Sequence, residues 1–195
     1  MVDRSTIHIL YVSGLGDRYD RFRRRALRGW SIWGVHATLM PMTWADGGTF
    51  ETKYATLQAE ADRLRKAGKR VVLIGESAGG SVIMNALADT PEEYHRFVTI
   101  CGKNWNARNV SPYLYGKNPA FKTSMRLADE KTDNIPATSL AHFISVCPLY
   151  DPVVPVSQMI LKNGQVMRLF TVGHFVSIVL ALTIYSPLII RRILR

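Results

Sequence analysis

Three residue types that together can attack an acyl group occur in this 195-residue chain as Ser77, Asp151 and His174, in that order. A serine hydroxyl is a weak nucleophile until a base accepts its proton, and that base needs a third group to hold its tautomer. Ser77 lies in "VVLIGESAGG" (71–80), where an all-apolar run ends in a cluster of very small residues. Residues 75–79 satisfy G-x-S-x-G, a sharp strand-to-helix turn that lifts the serine oxygen above a sheet. Glycines at 75 and 79 avoid collisions across such a turn, and the Ala78 N–H is placed to receive an oxyanion. The bare pattern arises by chance in roughly one chain of this length in fifteen, so its weight comes from the strand before it and the helix after it. The plain alternative is a small-residue turn for close helix–strand packing.

Downstream of Ser77 the histidines are His95, His142 and His174. Ligands of a parallel sheet collect beyond the carboxyl ends of its strands. His95 and His142 stand at the amino ends of strand-like runs, whereas His174, in "TVGHF", follows the last run and precedes an apolar helix. His174 is therefore the expected base. Asp151, in "CPLYDPVVP", follows the preceding strand and is the expected orienting acid, the alternative being a turn-forming Asp-Pro. Asp129, Glu130 and Asp133 fall in a polar, helix-like stretch and read as a solvated face. The glycine-rich "VSGLGDR" (12–18) offers a second oxyanion donor, with Leu15 favoured and Gly14 and Gly16 beside it. As a dinucleotide loop it lacks the third glycine of G-x-G-x-x-G, and no acid ends the next strand.

These residues need elements to hold them, and the chain alternates accordingly. Strands are expected at 7–12, 35–44, 70–75, 96–102, 142–148 and 165–172. Helices are expected in the arginine-rich segment near 18–33, from about 50 to 67 with Gly68 as stop, from 78 to 88, and over 175–190. "RVVLIG" is apolar on both faces, as a central parallel strand is. Six strands joined mostly by helices predict an α/β protein, a three-layer α/β/α sandwich with a mostly parallel sheet, in one domain over 1–195. The longest connection, about 103–140, is rich in aromatics and proline and reads as an irregular insertion or small lid.

With "YVSGLGD", "GESAGG", "DPVVP" and "GHF" in this order, the chain resembles the α/β-hydrolase superfamily over essentially its whole length. The resemblance implies Ser77 as nucleophile, His174 as base, Asp151 as acid, and Leu15 and Ala78 as oxyanion donors. It implies a minimal six-stranded core without the amino-terminal strands of larger members, and a serine hydrolase cleaving an ester or thioester with no cofactor and no metal. Ser13 stands where a histidine often precedes the oxyanion-loop glycine, which argues against lipases of the H-G type. A serine at the elbow argues against dehalogenase or epoxide-hydrolase chemistry.

The net charge is +10, much of it from "RYDRFRRRALR" (18–28). As a helix this segment places Phe22, Ala26, Trp30 and Trp33 on one side and spreads its arginines over a solvated remainder. Attraction to an acidic partner, such as anionic lipid head groups or a charged substrate, is the functional alternative, and nucleic acid is disfavoured because no aromatic-and-basic motif accompanies the charge. "FVSIVLALTIYSPLII" (175–190) is shorter than the ~20 residues that span a bilayer and contains Pro187. It reads as a final packing helix, with an interfacial membrane contact or a homodimer interface as the alternatives. Cys101 and Cys147 end apolar runs and suit buried thiols as well as a bridge. The opening "MVDRST" leaves no room for a secretory leader, so a cytoplasmic protein, with membrane association as an option, is expected. The rival to an enzyme is a catalytically silent hydrolase-fold protein binding an anionic membrane or protein partner.

Overall fold

The computed structural model describes residues 3–195. Met1 and Val2, on which the leader expectation partly rests, lie outside them. The chain runs β1 (Ile7–Val12), α1 (Asp20–Gly29), a 3₁₀ turn (Trp30–Trp33), β2 (His36–Met40) and α2 (Phe50–Lys66). It continues through β3 (Arg70–Glu76), α3 (Gly79–Asp89), β4 (Arg96–Ile100), α4 (Pro112–Lys117), α5 (Pro119–Thr132) and α6 (Ala137–Leu140). It ends with β5 (Phe143–Cys147), β6 (Gln165–Arg168), α7 (His174–Leu182) and α8 (Ser186–Ile193). Local chemistry sets several of these limits: the Thr49 side chain accepts the Thr52 N–H to cap α2, and Gly68, at φ +77°, ends it.

All five pairings are parallel, and the strand order is β2-β1-β3-β4-β5-β6. Parallel pairing leaves both faces to be covered by the crossover helices, and every β3 residue after Arg70 is buried. One face packs Leu10, Leu73 and Phe97 against Leu57 of α2, Ile83 of α3 and Met125 of α5. The other packs Ile9, Ile74 and Ile144 against Leu27 of α1, Leu182 of α7 and Ile190 of α8. The fold is a three-layer α/β/α sandwich. Strand order reverses between β1 and β3, so the loops that follow these two strands open the crevice in which such sheets bind ligands.

Three expectations need correction. The C-terminal run is two helices bent by 69°, because Thr183 leaves helical geometry and Pro187 begins α8 instead of interrupting a longer helix. No single helix among the described residues is long and apolar enough to cross a membrane; α7 and α8 pass that test only as a bent pair. Helix α1 stops at Gly29, and its arginines are not uniformly solvated: Arg23 is buried, together with Asp20 and Leu27, while Trp33 is partly exposed. The connection 103–140 contains three helices, and Phe121, Met125 and Ala128 of α5 belong to the core. Asp129 on α5 is not a solvated acid, since its carboxylate accepts the N–H groups of Asn106 and Ala107, both at 2.7 Å.

Candidate active site

The turn after β3 is strained where chemistry would need it. Ser77 adopts φ +48°, a left-handed conformation that L-residues rarely hold. Its N–H donates to the Ile100 carbonyl at 3.0 Å, and its carbonyl accepts the N–H groups of Gly80 at 2.9 Å and Lys103 at 2.8 Å. The glycines serve close approach: a Cβ at Gly75 would lie 2.4 Å from the Gly79 carbonyl oxygen, and one at Gly79 would lie 2.6 Å from that of Val12.

The structure brings Ser77, His174 and Asp151 together from three separate loops. Gly173, at φ +92°, turns the chain so that His174 opens α7. Its Nδ1 lies 2.7 Å from Asp151 Oδ2 and its Nε2 lies 2.8 Å from Ser77 Oγ. With the Nδ1 proton donated to the carboxylate, Nε2 is free to accept from the serine hydroxyl. Asp151 is buried, and its Oδ1 accepts the N–H groups of Val153 at 2.8 Å and Val154 at 3.0 Å. Burial alone would raise its pKa, but the His174 hydrogen bond and these two amides outweigh it, and the net shift is downward. Asp151 is therefore held as a carboxylate.

Of the loop after β1, Gly14 donates its N–H to Glu76 Oε1 at 3.3 Å. The N–H groups of Leu15 and Ala78 donate to no acceptor among the described residues. Behind this loop lies a network that sequence reasoning missed. Glu76, only 1% exposed, accepts from Tyr11 Oη at 2.5 Å and from Arg23 through Nε at 2.8 Å and through Nη2. Arg23 also donates through Nη1 to the Gly16 carbonyl at 3.0 Å and to Asp20 at 2.7 Å. The desolvation of Arg23 is outweighed by the Glu76 carboxylate, which raises its pKa and keeps it charged. The only signal in the sequence was a glutamate ending an otherwise apolar strand.

A cavity of about 310 Å³ opens over Ser77 and His174, at the small end of the range for ligand pockets. Phe22 of α1, Leu114 of α4, Val153 of the acid loop, and Ile178, Val179 and Leu182 of α7 make it largely apolar. A larger cavity, about 730 Å³, lies at the opposite edge of the sheet beside His95 and His142, and contains none of the three clustered residues. Cys101 and Cys147 are both buried free thiols. Cys101 Sγ, Asp151 and His174 offer ligand atoms within 4.8 Å of one another, but the latter two already bond each other, so an ion there would have to break that bond.

No family model and no curated protein matches this sequence. Solved structures do share its shape. One, described with the metagenome-derived lipolytic enzymes LipS and LipT, has TM-score 0.65 at 18% identity, over 96% of this chain and 91% of the other. Carboxyl esterase 2 from the fungus Tuber melanosporum has TM-score 0.67 at 14% identity, over 100% and 79%. MGS-MChE2, an alpha/beta hydrolase enzyme from the metagenome of lagoon sediments at Mar Chica, Morocco, has TM-score 0.62 at 15% identity, over 95% and 89%. At such identities the likeness concerns the fold.

Proposed function

We propose that this chain, which has the α/β-hydrolase fold, is a serine hydrolase that cleaves a carboxylic ester or thioester through an acyl-enzyme on Ser77. The observation that carries the reading is the Ser77–His174–Asp151 hydrogen-bonded chain, built on a strained serine at the mouth of an apolar cavity. Ser77 Oγ attacks the acyl carbonyl as its proton passes to His174 Nε2, and the Asp151 carboxylate stabilises the resulting imidazolium. The N–H groups of Leu15 and Ala78 receive the oxyanion. Collapse of the tetrahedral intermediate breaks the carbonyl-to-alkoxy or carbonyl-to-thiolate bond, and Nε2 gives its proton to the leaving group. Water, deprotonated by the same nitrogen, then attacks the acyl-enzyme and releases the acid. The small cavity suits a short to medium acyl chain. Residues 1–195 act as one domain, with Leu114 as the contribution of the 103–140 segment to the acyl cavity. Two free buried thiols suit a reducing compartment such as the cytosol.

The test is intact mass after treatment with a fluorophosphonate. A single adduct on the native protein, absent from Ser77→Ala and strongly slowed in His174→Ala, is the expected result. A folded native protein that forms no adduct overturns the reading and leaves the catalytically silent alternative.

A further inference from the structure

The helical layer that walls the candidate site also carries most of the excess charge. Residues 17–34 and 174–195, which form α1, its 3₁₀ turn, α7 and α8, contain nine arginines and two aspartates, with no lysine or glutamate. They account for seven of the ten net positive charges. Outside these segments five of the sixteen cations pair with an acid, as Lys53–Asp46, Arg63–Glu60, Arg65–Glu93, Arg126–Glu130 and Lys131–Asp89. In this layer only Arg23 is paired among the described residues, and that pair is internal. Arg21, Arg24, Arg25 and Arg28 are exposed and line a concavity of about 260 Å³ into which no acid projects. A second concavity, about 340 Å³, is lined by Arg191, Arg192 and Arg195 beside Leu188, Val166 and Met167.

The same layer exposes large apolar side chains between its arginines. Ile32 is 76% exposed and Ile184 70%, with Phe175, Val176 and Leu188 each about half exposed. Unpaired guanidiniums are suited to phosphate and carboxylate, and apolar side chains among them are suited to an acyl boundary. The cavity over Ser77 lies between the helices of this layer, with Tyr19 and Phe22 on one wall and Phe175 and Ile178 on another. We propose that the outer face of the α1–α7–α8 layer docks on an anionic phospholipid surface, which brings the mouth of the Ser77 cavity to lipid-borne acyl groups. Docking needs only the arginines and the apolar side chains; its use for lipid-borne substrates rests on the hydrolase reading above. No single helix of the layer is long and apolar enough to cross a membrane, and α7 and α8, bent by 69°, pack on the sheet through Ile178, Leu182 and Ile190.

The experiment is co-sedimentation of the full chain with phosphatidylcholine vesicles, with and without about 30 mol% phosphatidylserine, at roughly 0.1 M and 0.5 M salt. The native protein and Ser77→Ala both sediment with the anionic vesicles at low salt, and binding falls at least about tenfold at high salt or without phosphatidylserine. Replacing Arg21, Arg24, Arg25 and Arg28 by Gln weakens binding by about tenfold or more, while a water-soluble short ester is turned over as by the native protein. Ile32→Ser with Ile184→Ser weakens binding even at low salt. Failure of the native protein to sediment, equal binding to neutral vesicles, or preference for added DNA over vesicles overturns the proposal. Sedimentation without a fluorophosphonate adduct overturns the hydrolase reading alone.

Discussion

Arg23 and Glu76 form a buried ion pair that ties α1 to the residue immediately before Ser77. The same guanidinium holds the Gly16 carbonyl, and the same carboxylate holds the Gly14 N–H, so one pair fixes both the serine turn and the loop that carries Leu15. Two charges in a low-dielectric interior are tolerable only with their remaining hydrogen-bonding positions filled, and Tyr11 and Asp20 fill them.

Removing one partner should therefore be worse than removing both. Arg23→Met strands the Glu76 carboxylate and is expected to lower stability by about 3–5 kcal/mol. Arg23→Met combined with Glu76→Met should recover part of that loss, because the Glu76 carboxylate is gone and only Asp20, paired with Arg23 in the native protein, then lacks its cation. In the double variant kcat should stay depressed even where stability returns, since the Glu76 hold on the Gly14 N–H and the Arg23 hold on the Gly16 carbonyl are both lost, leaving only the Tyr19 N–H on the latter. Urea unfolding and ester kinetics on the four members of the cycle check this, and a double variant as unstable as the single one contradicts it.

Asp151→Asn keeps the shape of the acid loop but replaces an acceptor by an amide that can present its own N–H to His174. The wrong tautomer of the imidazole then faces Ser77, and kcat is expected to fall by about 10⁴-fold, with KM little changed. Thermal unfolding should change far less than activity. A loss of activity that merely tracks a loss of fold would refute the orienting role.

What could be read in the sequence and what could not divide along physical lines. The strands were legible because a parallel strand covered on both faces is a continuous apolar run, and "VVLIG" is buried throughout. The clustering of Ser77, His174 and Asp151 was legible because strand ends mark one edge of the sheet. Arg23 was not, because an arginine among six looks solvated until the fold places a carboxylate 53 residues away against it. The break between α7 and α8 was hidden for a related reason: both helices are apolar, so composition is continuous across Thr183 while the backbone is not. The function of Asp129 depended on a loop whose course no local pattern dictates.

On the proposed hydrolase reading the cavity over Ser77 receives the acyl chain, and α7 supplies one of its walls. Val179 lies on α7 facing that cavity, and Phe in its place should fill the inner part. For an acyl chain that reaches this depth kcat/KM should fall by about 10- to 100-fold, each excluded methylene being worth about 1 kcal/mol or more. Acetyl esters, which stop at the serine, should be turned over nearly as before. Equal losses on acetyl and octanoyl esters would show that Val179 does not line the acyl path.

At the far edge of the sheet, His95 predicts a pH dependence of stability unrelated to the chemistry. Its Nδ1 lies 2.8 Å from Arg70 Nη2, and His142 Nδ1 lies 3.1 Å from Arg96 Nη1. Since arginine only donates, both rings must accept through Nδ1. Burial, reinforced by the positive charges of Arg70 and Arg96, lowers the His95 pKa from 6.5 to about 4. The unfolded chain takes up this proton near 6.5 and the folded one only near 4, so between these values the unfolded state binds more protons. Stability is thus fully retained above about pH 6.5 and falls as the pH drops toward 4. After allowance for solvent screening of a half-exposed ring, the loss is on the order of 1 kcal/mol. His95→Gln keeps an acceptor for Arg70 and cannot titrate. Its melting temperature should drop by about 2–4 °C less than that of the native protein between pH 7.5 and 5. Parallel curves for the two proteins would place the acid sensitivity elsewhere.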